Sequence, residues 1–272
     1  TPMLDMHFFQ NPRFTAANSA ITLTFFAMFG SMFLMTQYWQ FVHGYSPLGA
    51  GVRLIPYALT MMVVAPMSAR FVERLGTKRV VTTGLLVMAT ALVSLSFIKA
   101  TTPYPLAILL FCLMSSGMGM VMAPATESVM GSLPRDKAGV GSAVNDTTRQ
   151  MGGALGVAII GSVVSSVYSK NISNVAGRFG VTGSDLTEAR GSLGGALKVG
   201  GELTSGSAGF IVDVKDSFVD ALSNGLRLAC AVILCAAFVA WKFLPARAHD
   251  PLAGHTDQPV TDAVVPVPVA GD

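Results

Sequence analysis

The sequence predicts an all-α membrane protein that crosses the bilayer six times. Three observations carry that expectation. Charged residues make up 12% of the 272 residues and hydrophobic ones 51%, and the charged share is about half that of soluble domains. The mean hydropathy of +0.57 leaves too little polar surface to hold a chain of this size in water. The apolar residues also fall into stretches of the roughly twenty residues a helix needs to cross the hydrocarbon core, and most Lys and Arg sit between them. An ordinary cytosolic enzyme, a nucleic-acid binder and a disordered chain are excluded on these grounds. A net charge of +3 is too small to point to an acidic partner. Cys112, Cys230 and Cys235 lie in apolar runs without metal-ligand spacing and read as packing residues, not a disulfide framework.

Residues 15–168 are expected to hold the first five spans. The first, at 15–38, carries no charge, and the second, at 47–69, carries only Arg53. The third, at 80–98, is uncharged, and the fourth, at 104–130, holds Glu127 near its end. The fifth, at 138–168, contains Asp146 and Arg149, and the sixth, at 221–247, has Arg227 near one end and Lys242 near the other. Arg70, Arg74, Lys78 and Arg79 follow the second span, and Arg135 and Lys137 follow the fourth. The segment from Trp39 to Ser46 has no Lys or Arg, and the one near Thr101 has only Lys99. Basic residues mark cytoplasmic loops, so both termini are expected on the cytoplasmic side of the cell membrane.

Residues 1–14 read as the end of a cytoplasmic linker, and a chain opening on Thr1 is expected to be a fragment with more protein upstream. Residues 248–272, rich in Pro, read as a disordered cytoplasmic tail. The Gly- and Ser-rich stretch 169–220 reads as a long extracytoplasmic loop. Asp185, Glu188, Leu186, Leu193 and Leu197 suggest one short amphipathic helix within it.

The most informative connection runs from Ala69 through Arg70, Glu73, Arg74, Gly76 and Lys78 to Arg79. Gly76 permits a tight turn, the basic residues favour an anionic leaflet, and Glu73 suits a neighbouring helix N-terminus. The segment resembles the acidic–basic–glycine loop that follows the second helix of each six-helix half in the major facilitator superfamily. Ala69 and Gly76 take the glycine positions, Glu73 the acidic one, and Arg74, Lys78 and Arg79 the basic ones. Ala69 and Thr77 depart from the pattern, as the C-terminal copy commonly does. The resemblance implies a loop that clamps one conformation shut on the cytoplasmic side.

The run from Asn145 through Asp146, Arg149, Gly152, Gly153 and Gly156 to Ala158, with Leu133, Pro134, Ala138 and Gly139 before it, resembles the penultimate helix of fourteen-span drug:proton antiporters in that superfamily. Gly51 to Pro56 resembles the start of their tenth helix. The resemblance implies a C-terminal half, one half-bundle of two inverted three-helix repeats. It also implies proton-coupled efflux of drugs or other amphiphilic small molecules, and partnership with an N-terminal half. An exporter of a single metabolite or lipid-like compound is the alternative, and a non-transporting receptor or structural subunit is another.

Physically, Gly152, Gly153 and Gly156 let helix backbones approach in lipid, where apolar packing alone gives no preference. Pro56, Pro66 and Pro124 break backbone hydrogen bonds inside spans, as bending helices do. Charges within a span are costly, which makes Asp146, Glu127 and Arg149 candidates for function. One reading is an ion-pair cluster of the three at a cytoplasmic gate; the other is a proton-carrying carboxylate, Asp146 before Glu127. Arg53 reads as a side chain snorkelling outward, with substrate contact as the alternative. Asn18, Thr22, Phe25, Phe29 and Gln37 on the first span are candidates for lining a substrate cavity. The neighbouring Met and Phe side chains would suit flat apolar cations, or equally lipid. His7, His43, His249 and His255 lie in loops or tails, no phosphate-binding glycine loop is present, and no cofactor, metal or enzymatic chemistry is expected.

Overall fold

The computed structural model describes Gln10 and residues 12–132, 138–203 and 206–244. The expected linker up to residue 9, the basic turn of Arg135 and Lys137 with Leu133 and Pro134, and the tail 248–272 lie outside the described residues.

The described chain is helical. Helix α1 spans Pro12–Gln37 and continues as a π-helical turn over Tyr38–Val42. α2 (Pro47–Arg53) starts on a proline with no N–H to leave unpaired, and the Ser46 hydroxyl accepts from the Gly49 N–H at 3.1 Å. α3 (Ile55–Leu75) completes the second span. The two part at Leu54 because Pro56 lacks the N–H that would bond back to Val52. α3 ends on Gly76 at φ 83°, a conformation other residues rarely adopt, and the Gly76 N–H donates to the Val72 carbonyl at 2.8 Å. α4 (Thr77–Leu95) starts at the next residue. The stretch expected as a loop is therefore a sharp corner: Ala69, Glu73 and Arg74 ride the last turns of α3, and Lys78 and Arg79 the first turn of α4.

α5 covers Tyr104–Met130 and α6 covers Ala138–Arg178. α7 (Gly183–Gly191) and α8 (Leu193–Glu202) follow, and α9 (Ser207–Phe243) is the last described helix. Among the described residues, six helical segments are long and apolar enough to cross a membrane. Their contacts obey an internal exchange: replacing α1, α3 and α4 by α5, α6 and α9 turns each major contact into another that is also present. Thus α1 on α6 maps to α5 on α3, α4 on α5 maps to α9 on α1, and α4 on α9 maps to itself. Consecutive spans alternate in direction, so the second triple runs opposite to the first. The fold is one half-bundle of two inverted three-helix repeats.

Glycines set the closest approaches. A Cβ placed on Gly152 would overlap the Thr22 carbonyl oxygen, and one on Gly156 would overlap that of Phe26, so α1 and α6 touch backbone to backbone. Gly84 and Gly117 do the same between α4 and α5, where added Cβ atoms would stand 2.8 and 2.6 Å from the facing carbonyls.

The stretch 169–220 differs from the expected loop. A 41-residue α6 and a 37-residue α9 are about 60 and 55 Å long at 1.5 Å per residue, well beyond the roughly 30 Å hydrocarbon core. Both project past the bilayer at the same end. Arg178 and Asp213 pair there at 3.0 Å, and Phe179 meets Phe210 edge-on at 5.5 Å. Two helices, not one, fold over these extensions. The Tyr168 hydroxyl donates to the Ala189 carbonyl at 3.2 Å, while Ala189, Ala196 and Gly200 are buried. Small residues that read as loop are here the means of tight helix packing.

At the same end of the bundle an aromatic cluster joins the π-helical turn to α2 and α5. The Arg53 guanidinium lies 3.7 Å from the Tyr45 ring centroid and donates to the Gly49 carbonyl at 3.1 Å, and the Tyr104 hydroxyl donates to the Arg53 carbonyl at 3.0 Å. Arg53 is thus clasped by aromatic rings at this end of its helix. His43 stacks on Tyr45 at 5.6 Å and meets Tyr38 edge-on at 4.9 Å. Burial, and then the Lys215 ammonium, hold its pKa below the usual 6.5.

Two predictions follow from these contacts. Gly156→Leu forces α1 from α6, and overpacking costs about 1–3 kcal/mol or more. Its thermal midpoint in detergent should fall clearly, whereas Gly139→Ala, with nothing within 4 Å of the new methyl, should leave it unchanged or slightly raised. For His43, the unfolded chain binds its proton more readily than the fold does, so His43 contributes stability that is full above about pH 6.5 and lost as pH falls through the lower folded value. The midpoint should drop between about pH 7.5 and 5.5 less steeply in His43→Gln than in the parent. Equal slopes would contradict this assignment.

Candidate functional site

Phe25, Phe29, Phe33 and Gln37 follow one another at four-residue steps along α1 and form a stripe on one side of the helix. Phe29 is 42% exposed and Phe33 44%, whereas Phe26, about 60° round the helix from Phe29 and packed at the α1–α6 contact, is 8%. The Phe25 and Phe29 rings stack at 5.9 Å. α6 seats them with glycines: a Cβ on Gly153 would come within 3.0 Å of the Phe29 ring, and one on Gly161 within 3.7 Å of Phe33. The glycines read as packing devices therefore also hold the aromatic stripe in place.

At one end the stripe opens into a cavity of about 360 Å³. Phe33 and Gln37 of α1, Ser162, Ser165 and Tyr168 of α6, and Phe218 of α9 wall it, and Ser192 and Leu193 close it where α7 meets α8. The lining is largely apolar with an amide and several hydroxyls, and no charged side chain takes part. Such a site accepts an apolar molecule through its rings and fixes its orientation through a few hydrogen bonds.

At the other end stands Arg149. Its guanidinium carbon lies 5.6 Å from the Phe25 ring centroid, and Nη2 donates to Thr126 Oγ1 at 2.8 Å. Its Nε is buried without a hydrogen-bond partner. The expected ion-pair cluster does not form. Among the described residues the ion pairs are Arg178 with Asp213 and Lys198 with Glu188, and both Asp146 and Glu127 are exposed. Helix geometry accounts for it: Thr126 turns toward Arg149, which aims its neighbour Glu127 about 100° away. Arg149 leans inward to α5, while Asp146, about 60° round α6, faces out.

The five cavity candidates separate. Gln37 lines the cavity, and Phe25 and Phe29 lie on the stripe leading to it. Asn18 does not line it. It is 3% exposed, donates to the Phe14 carbonyl at 2.9 Å and accepts from Thr148 Oγ1 at 3.5 Å. Thr22 donates to the Asn18 carbonyl at 2.9 Å and packs against Gly152, so both belong to the α1–α6 seam. Sequence reasoning missed Thr126, Ser162, Ser165 and Tyr168. The hydroxyls of Ser162 and Ser165, three apart on an apolar span, were the available signal.

In the α3–α4 corner, Glu73 is exposed and forms no ion pair with a described residue. Arg74, Lys78 and Arg79 line a separate pocket of about 660 Å³ with Thr82, Thr83 and Trp241. No cluster of His, Cys, Asp or Glu able to hold a metal ion occurs among the described residues.

Known proteins share this architecture. The sequence pattern of the Major Facilitator Superfamily matches residues 2–157. The chain is 29% identical over 249 residues to the tetracenomycin C resistance and export protein of Streptomyces glaucescens, covering 88% of this chain and 45% of that protein. It is 27% identical over 240 residues to the multidrug efflux pump LfrA of Mycolicibacterium smegmatis, covering 88% and 47%. It is 28% identical over 242 residues to the methyl viologen resistance protein SmvA of Salmonella typhimurium, covering 88% and 48%. The chain spans about half the length of these curated relatives. A crystal structure of a bacterial homologue of the human lysosomal transporter Spinster, inward-facing and unoccupied, superposes with a TM-score of 0.59 at 13% identity, over 89% of this chain and 52% of that one, which speaks for the fold. With the match over residues 2–157 and six membrane-spanning helices in two exchangeable triples, this multi-pass membrane protein belongs to the major facilitator superfamily.

Proposed function

We propose that this chain is the C-terminal half of a fourteen-span, proton-coupled exporter of amphiphilic small molecules in the cell membrane, with both termini cytoplasmic. The observation that carries the reading is the aromatic stripe of α1, open on one side and ending in a cavity free of charged side chains. A missing N-terminal half would close the open side and complete the pathway. The names of the relatives, which speak of multidrug efflux and of resistance to methyl viologen, favour amphiphilic cations. Exposed rings attract such cations by about 0.5–1 kcal/mol each at wet sites.

In this reading Asp146 is the proton carrier. It has no ion-pair partner among the described residues, so protonation removes a charge without breaking a pair. The proton shifts the inward–outward balance only by its difference in affinity between the two states, about 1.4 kcal/mol per pKa unit. Arg149, Thr126 and Phe25 form the gate beside it, Glu127 lies next to that gate, and the corner of Ala69, Glu73, Arg74, Gly76, Lys78 and Arg79 clamps the cytoplasmic side. An exporter of one specific compound is the second reading, favoured by the cluster of Gln37, Ser162 and Ser165.

Ethidium efflux from energised cells carrying this half joined to its N-terminal half tests this. Efflux abolished by a protonophore and by Asp146→Asn is the expected outcome, with Phe29→Ala weakening apparent ethidium affinity about fivefold. Efflux that survives Asp146→Asn removes Asp146 from the coupling role. No dye efflux at all contradicts the multidrug reading in favour of a narrow exporter or a non-transporting protein.

A further inference from the structure

The basic pocket at the α3–α4 corner does not belong to the pathway described above. It lies where the first turns of α4 meet the last turns of α9, and three cations, Arg74, Lys78 and Arg79, share its wall with Thr82, Thr83 and Trp241. None of the three pairs with a carboxylate among the described residues. Lys78 stands 5.7 Å from the Trp241 ring, and Thr82 Oγ1 is buried without a hydrogen-bond partner. The pocket therefore presents uncompensated positive charge. Its place in the bilayer follows from the spans: α4 begins its crossing at Thr77 and α9 completes one at Phe243, which puts the pocket at headgroup level. Trp241 is exposed there, as interfacial tryptophans are.

Below the pocket the same two helices continue as apolar surface. Leu86 lies one turn on from Thr82, and Phe238 and Leu234 lie one and two turns before Trp241; all three are exposed. A cationic recess flanked by exposed apolar side chains of two membrane-spanning helices fits an amphiphile with an anionic head. A soluble anion would use the recess and leave these apolar side chains idle.

We propose that this site holds an anionic phospholipid, with its phosphate among Arg74, Lys78 and Arg79 and its acyl chains along the exposed apolar side chains of α4 and α9. The lipid would brace the α3–α4 corner against α9. The inference is independent of what the protein transports.

Native mass spectrometry of the purified protein in micelles, titrated with dioleoyl phosphatidylglycerol or dioleoyl phosphatidylcholine, tests it. The parent should retain phosphatidylglycerol in preference to phosphatidylcholine, and the double variant Lys78→Gln with Arg79→Gln should weaken retention about thirtyfold, at the usual worth of a Lys or Arg near an anionic lipid surface. The exposed pair Lys170→Gln with Arg190→Gln, of equal charge change, should leave retention unchanged. Should the double variant fail to fold, Arg74→Gln and Trp241→Leu carry the test, each lowering retention. Equal retention of the two lipids, equal loss in the control pair, or displacement of phosphatidylglycerol by millimolar inorganic phosphate would overturn the proposal, the last in favour of a soluble-phosphate site.

Discussion

The contact on which the rest of this structure depends is the backbone seam between α1 and α6. Two apolar helices in lipid gain little from turning their side chains toward one another, because the acyl chains are equally apolar. What selects one arrangement is close approach. Gly152 and Gly156 allow the backbone of α6 to lie on the carbonyls of Thr22 and Phe26. With that distance set, the helix cannot rotate without a clash, and everything else on α1 is placed. Asn18 and Thr148 meet inside the seam, and Phe25, Phe29, Phe33 and Gln37 are turned to the open side. The seam thus converts a spacing of glycines into an aromatic surface at a known position.

The inverted repeat extends the same logic to the whole bundle. The exchange of α1, α3 and α4 with α5, α6 and α9 means that a single mode of packing is used twice. Gly84 and Gly117 tighten α4 on α5, and Gly225 sits close to Leu34 of α1 and to Val164 and Ile160 of α6. Rigid seams of this kind suit a body that moves as a unit. The charges are kept to its rim and one face: Arg149 is held by a hydroxyl and a ring, and Arg53 by rings and a carbonyl. Neither needs a carboxylate, which leaves Asp146 and Glu127 unpaired among the described residues.

Much of the fold was legible in the sequence because the bilayer reduces the question to span length, and six stretches of lipid-crossing length are hard to hide. The Gly76 corner and the glycine seam were legible because only glycine fits a positive φ or a backbone contact. Side-chain direction was not. Asn18 and Gln37 read alike as polar residues on an apolar span, yet one is sealed in the seam and the other walls the cavity. Periodicity within one helix does not say which side its neighbour takes. The same gap produced the expected ion pairs of Arg149, since a three-residue spacing permits contact but α5 offered a better one. Residues 169–220 misled for a different reason: Gly, Ser and Ala signal a loop in isolation and tight helix packing once α6 and α9 flank them.

The central claim is that the exposed stripe of α1 faces the transport pathway and not lipid. Single cysteines in place of Phe29, Phe33 and Gln37, and in place of Leu86 and Leu234 on the α4–α9 side, can be compared for maleimide labelling in membranes with and without ethidium. Labelling on α1 that a membrane-impermeant maleimide achieves and ethidium slows, with no such protection at Leu86 or Leu234, is the predicted result. Stripe positions that resist aqueous reagent as the α4–α9 positions do, with ethidium making no difference, would contradict the account.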